Sequence, residues 1–395
     1  MHLDSGSGIF LLPIRGFRLK KRLFTPGPTP VPESVMLRMA EPIIHHRHVE
    51  FTELFSRVHQ NLQYLFQTAG DVITLTSSGT GAMEAAVANV HSAGDKAVFV
   101  NGGKFGERWG ELLSAYGVQP IELTVPWGDS VRIGDVERAL KGNPSVSAVY
   151  LTHSETSTGA ATDVQAITRL VRSTSNALII VDGITAVGAM ELRMKDWDLD
   201  IVITGSQKGL MIPPGLAFVA LSERAWERIK ASKLPRFYFD LMAARKALQT
   251  NDTPWTPAVS LVIGADSALA MIREEGLEEV WLRHSRLAAS LRAAADALGL
   301  EVLAKKPSNA LTALRIPKSV DAKQFNSLLK NSYGITAAGG QGEFAGKIIR
   351  ISHLGYYDEF DMITVISAIE MTLSKCRYTF EPGAGIRAAQ ATFLA

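Results

Sequence analysis

Cysteine is almost absent from this chain of 395 residues, in which Cys376 is the only one. A single cysteine excludes a disulfide within the chain and a zinc site built from several thiolates. It fits a reducing compartment, so we expect a cytoplasmic protein. An excess of charge of one sign is also missing, because 41 Lys and Arg residues stand against 39 Asp and Glu residues. This balance gives no indication of a polyanionic partner, and we expect no nucleic acid partner.

Long hydrophobic runs are lacking too. No stretch approaches the roughly 18 consecutive apolar residues of a membrane span, so we expect no membrane partner. The apolar run at 9–14 is short, is broken by Pro13 and precedes the basic residues, unlike a secretory signal. We interpret residues 1–22 as an N-terminal extension without structure of its own, or as an artefact of the assigned start site. Residues 381–395 are rich in Gly and Ala, which predicts a flexible tail.

Strand-like and helix-like segments alternate from about Asp71. Short apolar runs, typical of strands covered on both faces, occur at 71–76, 96–100, 146–152, 177–181 and 200–204. The alternation predicts an α/β fold with a mostly parallel central sheet. Between Asp182 and Asp200 there is little room for a long helix, so that connection should be irregular or the next strand antiparallel.

A second region starts near Ala258. Helix-like stretches at 260–274, 277–297, 322–330 and 359–373, with strand-like runs at 301–303, 310–316 and 347–352, predict a smaller α+β domain. We therefore expect an extension at 1–22, a large domain at 23–257 whose first segment contributes to the active site, a small C-terminal domain at 258–380, and the tail at 381–395.

Three segments whose residues could bind a ligand or take part in catalysis follow predicted strands, where ligands of open α/β sheets bind. Residues 77–81 (Ser-Ser-Gly-Thr-Gly) precede a helix-like segment, so their free N–H groups favour an anion such as phosphate, although a plain tight turn fits as well. Asp182 follows one strand and Lys208 another. Considered one at a time, a turn carboxylate and a surface lysine are the simpler interpretations. Together, an anion site, a carboxylate and a lysine in apolar surroundings are what pyridoxal phosphate requires.

With these residues the chain resembles a class V, fold-type I pyridoxal-phosphate aminotransferase of the alanine–glyoxylate/serine–pyruvate group, which includes proteins named as a soluble hydrogenase small subunit. The resemblance covers about 23–373. Its motifs are TPGPTPVP at 25–32, SGTGAME at 78–84, ETSTG at 155–159, VDG at 181–183, GSQK at 205–208 and RISHLG at 350–355.

The resemblance implies roles for single residues. Lys208 would bind the cofactor aldehyde covalently, and Asp182 would pair with the pyridinium nitrogen. Gly27 and Arg350 would bind substrate, with Arg350 on the α-carboxylate. The other implied cofactor contacts are Ser78, Gly79, Thr80 and Gln207 at the phosphate, Phe105 on the ring face, Thr156 beside the ring, and Thr256, which would reach the phosphate of the other subunit in a homodimer.

Two of these assignments have simpler alternatives. Phe105 fits a plain core position as well, and Arg350 could extend its charge from an apolar strand to the surface. His45, His46 and His48 lie close together in sequence, but no carboxylate–histidine spacing accompanies them, so we expect no metal site.

The implied reaction is transamination between alanine or serine and glyoxylate or pyruvate. A dicarboxylate aminotransferase is an alternative, for which Arg47 would supply a second cation. A cysteine desulfurase is another, with Cys376 as its nucleophile, and a non-catalytic interaction subunit is the third.

Overall fold

The computed structural model describes residues 19–395, so the predicted extension lies outside the described residues up to residue 18. The helices α1 to α13 are, in chain order, Glu33–Met39, Val49–Phe66, Gly79–Val90, Lys104–Ala115, Ile133–Gly142, Val164–Thr174, Glu223–Ala231, Leu241–Leu248, Val259–Glu275, Leu277–Ala297, Ala322–Tyr333, Glu359–Lys375 and Ala384–Leu394. The strands β1 to β14 are Arg22–Leu23, Val72–Ser77, Lys96–Asn101, Gln119–Thr124, Val146–Thr152, Ser154–Glu155, Ala160–Ala161, Leu178–Asp182, Ile201–Gly205, Gly215–Leu221, Leu311–Arg315, Ile335–Thr336, Ala338–Gly339 and Ile348–Ser352.

The central sheet has seven strands in the order β2-β10-β9-β8-β5-β3-β4. Strand β10 runs antiparallel to both of its neighbours, and the other adjacent pairs are parallel. This confirms the predicted α/β fold with a mostly parallel sheet. The β8–β9 connection is irregular and the two strands are parallel, so the first of the two alternatives for that connection is correct.

Helices cover both faces of the sheet, which is why its strands read as continuous apolar runs. In β8, Ile179 and Val181 pack in a core with α2, α5, α6 and α9. Leu178 and Ile180, on the opposite face, pack with α3, α4, α7 and α8. Each such side chain, when fully buried, contributes about 1.5–3 kcal/mol to folding. The strand that ends at Asp182 is therefore a rigid support for that carboxylate.

The small domain consists of the antiparallel sheet β11-β14-β13 and helices α10 to α13, which share a separate core. Its boundaries differ from the predicted ones. The apolar face of α9 packs in the core of the large domain, and Leu277 and Val280 of α10 pack there too. From Leu287 onward, α10 packs in the small-domain core, so the change of domain falls within α10. At the other end, β1 pairs with β12 and Phe24 lies in the small-domain core, so residues 22–24 belong to that domain.

The C-terminal residues are ordered, and the predicted flexible tail is wrong. Residues 384–394 form α13, which packs along α10 and buries Ala389. The buried Glu370 of α12 accepts hydrogen bonds from the backbone N–H groups of Gly383, Gly385 and Ile386 at 2.9, 2.8 and 3.2 Å. The Ala-rich composition permits close helix packing, and this carboxylate satisfies the free donors of the first turn.

Over residues 19–395, none of the helices is both long and apolar enough to cross a membrane.

Candidate active site

Six strands of the central sheet end at the same edge, because β2, β3, β4, β5, β8 and β9 point in one direction. The loops that follow them carry most of the predicted site residues. Asp182 is the last residue of β8, and Lys208 comes three residues after β9. The geometry of parallel strands thus brings together groups that are far apart in sequence.

Lys208 is 8 % exposed, and its amine donates a hydrogen bond to the carbonyl oxygen of Pro26 at 2.6 Å. Burial lowers the pKa of this amine to about 8, while the charge of Asp182 acts in the opposite direction. Thr29 fixes the lysine backbone, since its hydroxyl donates to the Lys208 carbonyl at 3.0 Å. A buried amine with a lowered pKa is a nucleophile near neutral pH.

Residues 25–29 cross directly over the lysine, and we call them the N-terminal strap. Gly27 has φ +149°, a conformation that side chains rarely adopt, and a Cβ built there would lie 2.2 Å from Lys208 Nζ. Glycine is therefore required both by the backbone angle and by the closeness of the amine. The structure places Gly27 against Lys208, as expected for a residue of the same site.

Asp182 is 3 % exposed, and its Oδ1 accepts a hydrogen bond from the Ile184 N–H at 2.8 Å. Burial raises the pKa of this carboxyl to about 7, and Glu155 adds to the rise, while Lys208 and Arg108 oppose it. A cation placed against the carboxylate would lower that pKa again. Asp182 is therefore suited to hold a protonated ring nitrogen.

The start of α3 offers free donors to an anion. Ser78 is the N-cap residue but is exposed and makes no side-chain capping bond. Within residues 19–395, no hydrogen bond involves the N–H of Gly79 or Thr80, as expected for the first helical residues. Gln207 borders the same place, because a Cβ on Gly205 would lie 3.1 Å from Gln207 Oε1 and 3.5 Å from Gly79 N. We call Ser78, Gly79, Thr80 and Gln207 the anion cradle.

Phe105 lies in the first turn of α4 and is half-buried, so the plain core alternative does not describe it. Its N–H and that of Gly106 donate to the buried Glu155 carboxylate at 3.2 and 2.9 Å. Burial raises the pKa of Glu155. The next residue, Thr156, shares a 3.1 Å hydrogen bond with the hydroxyl of Thr185. One carboxylate therefore fixes Phe105 relative to the segment that carries Thr156.

Arg350 lies in β14 of the small domain and is only 7 % exposed, so it does not extend to the surface. Its Nε donates to Gly339 O and its Nη1 to Thr156 O, both at 2.9 Å. No carboxylate of residues 19–395 forms a salt bridge with it. Burial lowers the pKa of Arg350, while Glu155 opposes that effect. A buried guanidinium held only by carbonyl groups is suited to bind an anionic ligand.

Other predicted residues lie apart from this group. Thr256 is exposed in the single chain and makes no hydrogen bond to the anion cradle within the described part of the sequence. Arg47 forms a salt bridge with Asp252. Cys376 is the C-cap residue that follows α12. It packs against the small-domain core, and burial raises the pKa of its thiol. In residues 19–395, no group of three or more His, Cys, Asp and Glu residues has the arrangement of a metal site.

Sequence reasoning did not find Arg108, whose Nη1 donates to Thr80 Oγ1 at 3.0 Å. It also assigned no role to Glu155, although that residue stands within one of the quoted motifs. The position of Arg108, three residues after Phe105, was a usable signal, because residues i and i+3 lie on the same face of a helix.

The comparisons with known proteins agree with this geometry. The family described as Aminotransferase class-V matches residues 22–363, and the chain belongs to that family. It is 46 % identical to the soluble hydrogenase small subunit of Synechococcus sp. (strain PCC 6716), over 94 % of this chain and 97 % of the relative. It is 35 % identical to the L-aspartate–glyoxylate aminotransferase of Paracoccus denitrificans (strain Pd 1222), over 93 % of this chain and 95 % of the relative.

Among solved structures, the ureidoglycine–glyoxylate aminotransferase of Bacillus subtilis superposes with a TM-score of 0.90 at 28 % identity, covering 96 % of this chain and all of that one. The protein therefore has the fold-type I architecture and is an aminotransferase.

Proposed function

We propose that this protein is a pyridoxal-phosphate-dependent aminotransferase that moves the amino group of a small neutral amino acid, alanine or serine, to glyoxylate or pyruvate. The observation that carries the proposal is the pair of Lys208 and Asp182. A buried amine and a buried carboxylate lie at one edge of the sheet, each with its pKa displaced toward neutrality.

The surrounding residues fit the cofactor. Gln207 Oε1 is buried without a hydrogen-bond partner in the described residues, next to the free N–H groups of the anion cradle. That set suits a phosphate held by an amide side chain and a helix N-terminus. Asp182 suits the ring nitrogen, Thr156 a polar contact beside the ring, and Phe105 a ring-on-ring contact. These are proposed roles for this chain's residues.

When bound, the cofactor supplies an electron sink that stabilises negative charge at the substrate α-carbon. Lys208 Nζ then serves as the base that removes the α-proton and as the acid that returns it, for which a pKa of about 8 is well placed. Asp182 keeps the ring nitrogen protonated. The buried position of both groups excludes bulk water from the proton transfer.

Arg350 is proposed to bind the substrate α-carboxylate. Its Nε and Nη1 are already anchored, so the plane of the guanidinium is fixed before substrate arrives. A dicarboxylic donor would need a second cation for its side chain. Arg47, the candidate considered for that role, is paired with Asp252. This arrangement favours a donor with a small neutral side chain.

The main alternative is a dicarboxylic donor, which the name of the Paracoccus relative suggests. That relative and the Bacillus structure have glyoxylate in common as acceptor, which supports glyoxylate here. A desulfurase is less well supported, because Cys376 packs in the small-domain core and a raised thiol pKa disfavours the nucleophilic thiolate. The name of the Synechococcus relative suggests an interaction subunit, a role that does not require the buried Lys208–Asp182 pair.

We also propose a homodimer in which Thr256 completes the phosphate site of the partner. Beside Thr256, Trp255 stacks on Phe237 with ring centroids 4.9 Å apart, and Phe237 is 75 % exposed. An exposed aromatic cluster of this kind marks an interaction surface. The cytoplasmic location stays a prediction.

The decisive experiment is a half-reaction panel. The protein is loaded with pyridoxal phosphate, single amino acids are added, and loss of the visible band of the lysine-bound cofactor is followed. We expect alanine and serine to be fastest. Faster conversion by aspartate or glutamate would refute the neutral-donor proposal, and a chain that never develops the band would refute the aminotransferase proposal.

A further inference from the structure

The side chain of Arg108 is fixed beside the anion cradle from two sides. Its Nη1 donates to Thr80 Oγ1 at 3.0 Å, and its guanidinium carbon lies 5.0 Å from the centre of the Phe105 ring. A guanidinium held by a hydrogen bond and an aromatic face has a defined position. Arg108 therefore connects the residue expected on the cofactor phosphate with the residue expected on the cofactor ring.

The charge of Arg108 has no carboxylate partner among residues 19–395, in contrast to its neighbours. Lys104, one turn earlier on α4, pairs with Glu107 at 2.5 Å. Glu84, on α3, accepts a hydrogen bond from the hydroxyl of Tyr116 at 2.6 Å. Glu107 and Glu84 are thus engaged elsewhere, and the charge of Arg108 stays available to a ligand.

The same hydrogen bond determines what Thr80 can do. A hydroxyl has one proton to donate, and Thr80 Oγ1 already accepts from Arg108. The proton of that hydroxyl is therefore directed away from Arg108, and no residue of the described chain accepts it. With the N–H groups of Gly79 and Thr80, the anion cradle presents several donors next to one positive charge.

We propose that Arg108 is the counter-charge of the cofactor phosphate, which it holds as a dianion, and that it orients the Thr80 hydroxyl as a donor toward that group. This inference rests on the proposed binding of pyridoxal phosphate. It leaves the substrate carboxylate to Arg350, which is anchored on the opposite, small-domain side of the site. Arg108 and Arg350 then serve two different anions.

The test compares ligands with and without the phosphate. Affinities of the cofactor-free protein for pyridoxal phosphate and for pyridoxal are measured by equilibrium dialysis, for the wild type and for Arg108→Gln and Arg108→Lys. We expect Arg108→Gln to weaken pyridoxal phosphate binding by about 10- to 100-fold, the usual effect of losing a charged partner. Pyridoxal binding should change less than threefold. Arg108→Lys, which keeps the charge, should recover part of the loss.

A second measurement reports on the phosphate itself. The ³¹P resonance of the bound cofactor is followed against pH, and in the wild type we expect it to keep its dianion position to lower pH than in Arg108→Gln. Lys104→Gln is the matched control, because it removes a cation from the same helix that already has a carboxylate partner. We expect Lys104→Gln to bind pyridoxal phosphate and pyridoxal with affinities within a factor of about two of the wild-type values, which is a free-energy difference below about 0.5 kcal/mol.

The outcomes separate this inference from the proposed function. If the wild type and Arg108→Gln bind pyridoxal phosphate equally well, the role of Arg108 is refuted and the proposed function is not. Equal losses for pyridoxal phosphate and pyridoxal also overturn it, since they would show that Arg108 only supports Phe105. If Arg108→Gln binds the cofactor normally but loses reactivity with aspartate and not with alanine, Arg108 binds a substrate side chain and the inference is wrong. Wild-type protein without any affinity for pyridoxal phosphate refutes the proposed function itself.

Discussion

Replacement of Arg350 by lysine tests substrate binding most directly. In the structure, the guanidinium uses Nε and Nη1 to donate to Gly339 O and Thr156 O, which leaves its remaining N–H groups for a carboxylate. An ammonium group keeps the charge but cannot satisfy both carbonyl groups and also bind a carboxylate through paired hydrogen bonds. We expect a loss of about 2–3 kcal/mol, toward the lower end of the values for truncated charge pairs, because the charge stays.

That loss corresponds to a rise of about 30- to 150-fold in the apparent KM for the amino donor. Steady-state kinetics with alanine and glyoxylate measure it, and a spectroscopic titration checks that affinity for pyridoxal phosphate is unchanged. Arg315→Lys serves as the control, since Arg315 lies on the adjacent strand β11 and pairs with Glu301 at the surface. An unchanged KM in Arg350→Lys, or an equal rise in Arg315→Lys, would show that the carboxylate binds elsewhere.

Three further predictions concern the lysine, the buried carboxylate and the assembly. Borohydride should fix the cofactor covalently on the peptide that contains Lys208, and Lys208→Ala should still bind the cofactor but lose turnover by about 10³-fold or more; a label on another lysine contradicts the assignment. In the cofactor-free protein, the free energy of unfolding should fall as pH rises from about 4 to about 7, because the raised pKa of Asp182 makes the folded state hold its proton more tightly. Denaturant unfolding at both pH values measures this pH dependence, and we expect it to be smaller in Asp182→Asn. An unchanged pH dependence in that variant would contradict the prediction. Sedimentation should give a dimer, and Thr256→Ala should weaken cofactor affinity; a fully active monomer excludes the shared phosphate site.

Much of the central sheet could be predicted from the sequence, because strands buried on both faces show up as uninterrupted apolar runs. The run at 146–152 matches β5 in both bounds. Strand β4 was missed, since this edge strand alternates exposed and half-buried residues and contains Pro120. Strand β10 was missed because it follows two prolines and a glycine at 213–215, which read as a loop after Lys208.

The domain boundary could not be predicted in the same way. Helix α9 and helix α10 follow one another directly, separated only by Gly276, and both carry apolar residues along their whole length. Which of two cores receives an apolar helix face depends on tertiary packing rather than on periodicity. The same limit applies to the C-terminal residues, where the capping group of α13 comes from Glu370 of α12.

For the site, strand ends were the informative signal. Asp182 and Lys208 were expected at the same edge because consecutive parallel strands place their carboxyl ends together. The spacing of Arg108 and Phe105 predicts that they share a helix face, but it does not predict the contact with Thr80, which depends on the packing of α4 against α3. Thr256 depends on a second chain, so a single sequence gives no geometric test of it.

The N-terminal strap links the small domain to the Lys208 amine of the large domain. It starts from Leu23 and Phe24, which are paired with or buried in the small domain, and it ends over the amine of Lys208 in the large domain. Unfolding of the small domain alone would therefore withdraw the Pro26 carbonyl and bring water to the amine, even with the central sheet intact. The rate at which an amine-specific reagent labels Lys208 therefore reports whether the small domain is folded, although Lys208 belongs to the large domain.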